Sequence, residues 1–316
     1  MSRVLVTGAT GFVGPALVEA LVGAGHRVRV ALRRDAPLLP GVEYTMTGGV
    51  GPATDWRPAL LGVAAVVHLA ARAHVTETGS GALERFRAVN SAGTRHLAEA
   101  AAASGVRRFV FLSSVKAMGE SSPRDRALTE SDAPAPEDAY GTSKREGEIA
   151  LLDVAASSGL EPVIVRAPLV YGPGVKGNFL RLMRLVDRGI PLPFGAVANR
   201  RSLIARTNLA AAIALCLTHP DAAGETFLVA DGEDLSTPAL IRRLARALGR
   251  QPRLFPLPSA LLVRTGRLIG REAEIARLTG DLAIDSSALR ARLGWRPIVT
   301  VDDALAETAA WYRSQR

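Results

Sequence analysis

Lysine is almost missing from this chain. Lys116, Lys144 and Lys176 are the only three, so arginine supplies the other 36 of the 39 basic residues. Cysteine is scarcer still: Cys216 stands alone, which excludes an internal disulfide framework and fits a reducing cytosol. No apolar run reaches the 18 residues a membrane-spanning helix needs, so no membrane insertion is expected. The opening "MSRVLVTG" enters a strand pattern directly and reads as free of a signal peptide, giving a cytoplasmic expectation. There is no internal repeat and no Pro/Ser-rich linker, and no metal is expected. Aromatic residues make up only 5%. The net charge of +9 raises the question of nucleic acid, but the arginines read as scattered, without a basic tract or a basic–aromatic stripe. No nucleic-acid partner is expected; the surplus of arginine suits a small anionic substrate.

What is present is an alternation. Short β-branched runs at 3–8, 27–32, 42–46, 64–71, 107–114 and 161–168 read as strands. Between them, 12–24, 82–103 and 138–158 read as helices. Near-continuous apolar strands alternating with helices predict an α/β fold, a doubly wound parallel sheet of the Rossmann type. After residue 168 the pattern loosens, beginning with the Gly/Pro loop "VYGPGVKGN". The expected division is a dinucleotide-binding domain over 1–168 and a smaller lobe over 169–316, interleaved so that some of its segments return to the first domain.

"VTGATGFVG" puts Gly8, Gly11 and Gly14 between the first strand and the first helix. Such a turn lets backbone approach a pyrophosphate, whose charge the helix N-terminus receives. The second strand ends in "VALRRD", with Arg33 and Arg34 where an acidic residue would bind a ribose 2′-hydroxyl. Arginine there suits a 2′-phosphate, so NADP(H) is the favoured cofactor, with NAD(H) the alternative. The segment "AYGTSKREGE" holds Tyr140 and, one helical turn on, Lys144. A phenol is a poor base at neutral pH unless a cation favours its phenolate, and Lys144 shares its helix face.

With the glycine turn, "HLAA" (68–71), "FLSS" (111–114) and "YGTSK" (140–144) in order, the chain resembles the extended short-chain dehydrogenase/reductases. More narrowly it is similar to nucleotide-sugar epimerases, dehydratases and reductases, and most to bacterial 4-reductases of UDP-4-keto-6-deoxy-N-acetylglucosamine. The resemblance runs from residue 3 to "LGWRPIVTVDDALAETAAWY" at 293–312. It implies Tyr140 as acid/base, Lys144 as its supporting cation and ribose ligand, and Ser114 as the group polarising the substrate, with Ser113 as fallback. It implies a cofactor shell of Gly8, Thr10, Gly11, Phe12, Val13, Gly14, Arg33, Arg34, Val50, Leu69, Ala70, Ala71, Asn90, Tyr140, Lys144 and Pro168. For a UDP-sugar it implies Asn178 and Arg201 near the diphosphate and Phe194 over the uracil. A homodimer through helices 82–103 and 138–158 would follow the same pattern.

The sequence departs from the family in two places. Gly49 stands where relatives carry Asp near the adenine, and Leu278 stands where many carry a second phosphate-binding arginine, with Arg277 one position off. His68 and His74 line the expected cleft. The expected activity is reduction of a UDP-4-keto-6-deoxy-hexosamine by NAD(P)H for surface polysaccharide synthesis; the alternative is 4-epimerisation with a retained NAD. A dehydratase is disfavoured because Val115 and Lys116 replace the acidic pair that such relatives place beside the serine. A dinucleotide-binding scaffold without chemistry would lack Tyr140 or Lys144, and both are here.

Overall fold

The computed structural model describes residues 2–36, 41–73, 81–268 and 270–315. His74 lies outside them. The first strand, β1 (Arg3–Thr7), is followed by α1 (Gly14–Gly23), β2 (Arg27–Leu32), β3 (Glu43–Met46), the short α2 (Arg57–Leu60) and β4 (Ala65–His68). The long helix expected over 82–103 is broken into α3 (Ala82–Arg87), a π-turn at Ala88–Ala92, and α4 (Gly93–Ala103). β5 (Arg108–Ser114), α5 (Ala139–Ala156) and β6 (Glu161–Ala167) complete the first half.

The strands are apolar on both faces because both faces are covered. Val4, Leu5 and Val6 of β1 are fully buried, as are Phe109, Val110 and Phe111 of β5. Their order in the sheet is β3-β2-β1-β4-β5-β6, all parallel, with β9 (Thr226–Leu228) added beyond β6. Strand order reverses between β1 and β4, so a crevice opens above their carboxyl ends, where doubly wound folds bind ligands. α1 is held there by Leu17 and Leu21, both fully buried; each contributes about 2 kcal/mol by leaving water. Leu17→Ala would cost about 2–5 kcal/mol.

The second half leaves the first domain and returns to it. β7 (Leu169–Tyr171) pairs in parallel with β8 (Leu203–Ala205) in a separate two-stranded sheet, and α6 (Gly177–Asp187) lies between them in the chain. α7 (Arg206–Thr218) then packs along α1 before β9 joins the main sheet. β8 serves two cores by alternation: Ile204 enters the core around α1 and α7, while Leu203 and Ala205 enter that of the lobe. The lobe core gathers α6, α8 (Thr237–Leu248) and α12 (Val301–Ser314), with Leu262 of α9 (Ser259–Leu268) and Ile275 and Leu278 of α10 (Glu272–Thr279). α11 (Ser287–Leu293) goes back to the first core through Leu289 and Leu293.

Candidate active site

The glycine turn leaves no room for side chains. Gly8 sits at φ 72°, and a Cβ there would lie 2.6 Å from the Ala70 nitrogen. A Cβ on Gly14 would lie 2.1 Å from the Ala9 carbonyl oxygen. Gly11 donates its N–H to the Gly8 oxygen at 2.9 Å. α1 starts without any side-chain cap, so its first-turn N–H groups are left for a ligand. Thr10 and Gly11 are exposed beside it, whereas Val13 and Gly14 are buried under the turn. Phe12 packs against both cores, with the Arg206 guanidinium 5.9 Å from its ring centre. This cradle fits a dinucleotide pyrophosphate.

The β4 loop facing it is held by a buried chain of hydrogen bonds. Ala70 N–H donates to Thr7 Oγ1, which meets His68 Nδ1 at 2.6 Å, and His68 Nε2 meets Thr94 Oγ1 at 3.1 Å. Thr94 gives its own proton to the Asn90 carbonyl at 2.8 Å. The assignment that satisfies every atom therefore places the His68 proton on Nε2, with Thr7 donating to Nδ1. Burial and, secondarily, Lys144 push His68 down to about 3, so it stays neutral. His68 thus holds the floor of the cleft and is not a substrate ligand.

Asn90 is the centre of the π-turn and is fully buried. Its Oδ1 accepts from Arg72 N–H at 2.8 Å, and its Nδ2 donates to the Arg72 carbonyl at 3.0 Å and to Ser143 Oγ at 2.9 Å. Ser143 in turn donates to the Tyr140 carbonyl at 2.8 Å. With the amide so committed, Asn90 joins the loop carrying Leu69, Ala70 and Ala71 to the catalytic helix. These bonds support the site, as the resemblance implied for this asparagine. Gly147 permits them, since a Cβ there would lie 2.2 Å from the Asn90 oxygen. Val50 lies against the start of α4, 2.9 Å from where a Cβ on Gly93 would sit. Pro168 is buried at the end of β6.

Ser114 and Tyr140 come together. Ser114 closes β5 with its hydroxyl near enough to the Tyr140 phenol to favour the phenolate, and its Oγ accepts from Lys116 N–H at 3.2 Å. Ser113 is already engaged: its hydroxyl donates to Glu148 at 2.5 Å. Glu148 is fully buried and pairs with Arg166 through Nε at 2.9 Å and Nη2 at 2.7 Å. This network separates the two serines: Ser113 is buried and committed to Glu148, whereas Ser114 is only partly buried. The network was missed in the sequence, although an arginine in the middle of the buried strand "EPVIVRAP" signalled a hidden carboxylate partner.

The first turn of α5 is clamped as well. Asp138 caps it by accepting from Gly141 N–H at 2.6 Å, and Lys116 Nζ bridges Asp138 and Glu120 at 2.5 Å each. A Cβ on Gly141 would lie 2.3 Å from the Lys116 carbonyl, so helix and loop are in direct contact.

The electrostatics differ from the sequence expectation. Lys144 is 1% exposed, with Nζ 3.8 Å from the centre of the Phe111 ring. Burial lowers it to about 7, against an opposing pull from Glu148. Tyr140 is pushed up to about 12 by burial, partly offset by Ser114 and reinforced by Asp138. Spacing put tyrosine and lysine on one face, but it could not show that burial penalises both charged forms. Burial thus favours the protonated phenol at neutral pH.

Toward the lobe, Asn178 is exposed in the first turn of α6. Phe194 is 6% exposed and packed in the lobe core, a placement that fits packing rather than an open aromatic shelf. Arg201 donates to the Gly280 carbonyl at 3.1 Å; burial lowers its guanidinium, with Glu120 opposing and Arg277 adding to the effect. Arg277 Nε meets Glu120 at 3.4 Å. Arg33 and Arg34 are exposed at the end of β2.

Residues 4–230 match the family model described as "NAD dependent epimerase/dehydratase family". The chain belongs to that family. Within it, a "UDP-glucose 4-epimerase" of Vibrio cholerae is 43% identical, with 97% of this chain and 94% of that protein covered. A short-chain dehydrogenase/reductase superfamily protein from Agrobacterium tumefaciens with bound NAD is 28% identical, TM-score 0.77, covering 99% of this chain and 98% of that one. MoeE5 in complex with UDP-glucose and NAD is 25% identical, TM-score 0.78, with 99% of each chain covered. The chain is accordingly an NAD-dependent enzyme of the nucleotide-sugar epimerase/dehydratase type, in the extended short-chain dehydrogenase/reductase class. Among the described residues no helix is long and apolar enough to cross a membrane.

Proposed function

We propose that the enzyme carries out redox chemistry at C4 of a UDP-linked sugar, with 4-epimerisation as its leading activity. The observation that carries the C4 reading is Ser114 at the end of β5 brought next to Tyr140 in the first turn of α5, in a fold whose first turn is a glycine-lined dinucleotide cradle. The 43% identity to a UDP-glucose 4-epimerase supports the choice of epimerisation. Bound in that cradle, a nicotinamide supplies reversible hydride transfer. Ser114 holds the C4 oxygen, Tyr140 exchanges its proton, and Lys144 supports the phenolate whenever it carries charge. Arg201 and Arg277, both influenced by Glu120, offer guanidiniums to a diphosphate, and Asn178 is exposed at the start of α6. Phe194 reaches a uracil only if the lobe core opens around it. Elimination chemistry is disfavoured because Lys116 stands beside Ser114 with its ammonium held by two carboxylates.

Arg33 and Arg34 favour a second reading, a 4-keto-sugar reductase. The family's cofactor is NAD, and the expected preference for NADP(H) rests on these two exposed arginines alone. The deciding experiment gives the purified enzyme UDP-galactose or its N-acetyl form with no added cofactor. Formation of the C4 epimer supports the epimerase. No epimer, together with stoichiometric oxidation of NADPH or NADH on a 4-keto substrate, makes it a reductase. Exposed Ile149 and Leu152, three residues apart on α5, suit a second copy of the chain, which the solution mass would reveal.

A further inference from the structure

The arginines are not scattered after all. From Leu235 to Arg271 the chain has no aspartate or glutamate and eight arginines: Arg242, Arg243, Arg246, Arg250, Arg253, Arg264, Arg267 and Arg271. The remaining 31 basic side chains nearly balance all 30 acidic ones, so almost the whole net charge of +9 sits in this stretch. Three of the eight meet carboxylates from elsewhere: Arg243 meets Glu233, Arg250 meets Asp187 and Arg267 meets Glu272. The other five are exposed, and the described residues form no ion pair with them.

The same stretch exposes large apolar side chains. Leu268 is 82% exposed, Leu261 49% and Phe255 44%. α9 turns Leu262 and Gly266 inward, Gly266 lying against Ile275 of α10. On its outer side Leu261, Arg264, Thr265 and Leu268 follow at helical spacing and form one stripe. A shallow open depression lined by Ala260, Val263, Arg264, Arg267 and Leu268 runs beside that stripe.

We infer that the outer face of α9, with the preceding segment from Arg253, is a docking surface for an anionic phospholipid bilayer. Arginines interspersed with protruding leucines match a charged headgroup layer over an apolar interior. A nucleic acid would use the arginines and leave the leucines in water. The attachment would be peripheral, since no described helix can span a membrane. It is independent of the reaction at Tyr140.

The test is flotation of the full-length protein with phosphatidylcholine vesicles, with and without phosphatidylglycerol, at low and high salt. Expected is binding only to the phosphatidylglycerol vesicles, weakened by salt. Arg264→Ser should weaken it about fivefold, the worth of one arginine at such a surface. Leu261→Ser with Leu268→Ser should weaken it more than about tenfold, with the melting temperature held, because both side chains face water. Three results would overturn the inference: no binding to phosphatidylglycerol vesicles, equal binding to pure phosphatidylcholine, or binding unchanged in the leucine double variant. The last, joined with tight binding to DNA or polyglutamate, would make the face a general polyanion site.

Discussion

Replacing Lys144 with methionine should make the protein more stable while removing its activity. The side chain is 1% exposed and its ammonium is held at about 7 instead of 10.5, chiefly by burial. That difference corresponds to roughly 3–5 kcal/mol working against the folded state near neutral pH. Below pH 7 folded and unfolded chains both hold the proton, and above 10.5 neither does. In between, the unfolded chain binds the extra proton, so the wild type gains stability as pH rises, by about 1.4 kcal/mol per pH unit. Methionine has nearly the same volume and keeps a favourable contact with the Phe111 ring. Thermal unfolding of nucleotide-free wild type and Lys144→Met from pH 7 to pH 9 makes the comparison. The variant should melt higher at pH 7, and its advantage should shrink by about 2 kcal/mol by pH 9, a change of about 4 °C. Parallel melting curves across that range would show that Lys144 is not desolvated as described.

Tyr140→Phe should lower turnover about 10²–10⁴-fold with dinucleotide affinity retained, and a variant keeping more than a tenth of the rate would remove Tyr140 from the acid/base role. Ser113→Ala and Ser114→Ala should separate cleanly. The first strips a partner from buried Glu148 and destabilises by about 1–3 kcal/mol with chemistry kept; the second loses rate with stability kept. Reversed effects would exchange the serines' roles. Gly14→Ala places a methyl group 2.1 Å from the Ala9 carbonyl, so α1 must shift. Titration with NAD should show weakened binding, and unchanged affinity would dissociate the turn from the cofactor.

Most of the fold could be read from residues, because β1, β4, β5 and β6 are buried on both faces and written as near-continuous apolar runs, while β2 alternates with arginine and β3 is half exposed. The sequence pattern overran β4 by three residues, since "LAA" continues the apolar run after the ladder ends at His68. It also read 82–103 as one helix, because the π-turn depends on what Asn90 bonds in α5 and in the β4 loop, and no local spacing encodes that. Ser114, Tyr140 and the glycines were legible through their motifs. The protonation state of the tyrosine–lysine pair was not, because it depends on burial, which only the packed structure reveals. Glu148 and Arg166 lie 18 positions apart and meet only because α5 folds back over β6. The basic stretch from 235 to 271 was visible in the letters and became meaningful once α9 turned its leucines outward.

The return of the chain to its first domain bears on how the protein is made. β6 has an open edge at Ile164, Val165 and Arg166 until β9 pairs with it, and α1 lacks its neighbour until α7 exists. A ribosome that has released only residues 1–168 therefore presents an unfinished sheet whose missing strand, β9 at Thr226–Leu228, is made only about sixty residues later. The first domain cannot settle during that interval, and a fragment ending near residue 168 should aggregate rather than fold. Fusions or split versions of this enzyme would have to keep everything through β9 on one piece.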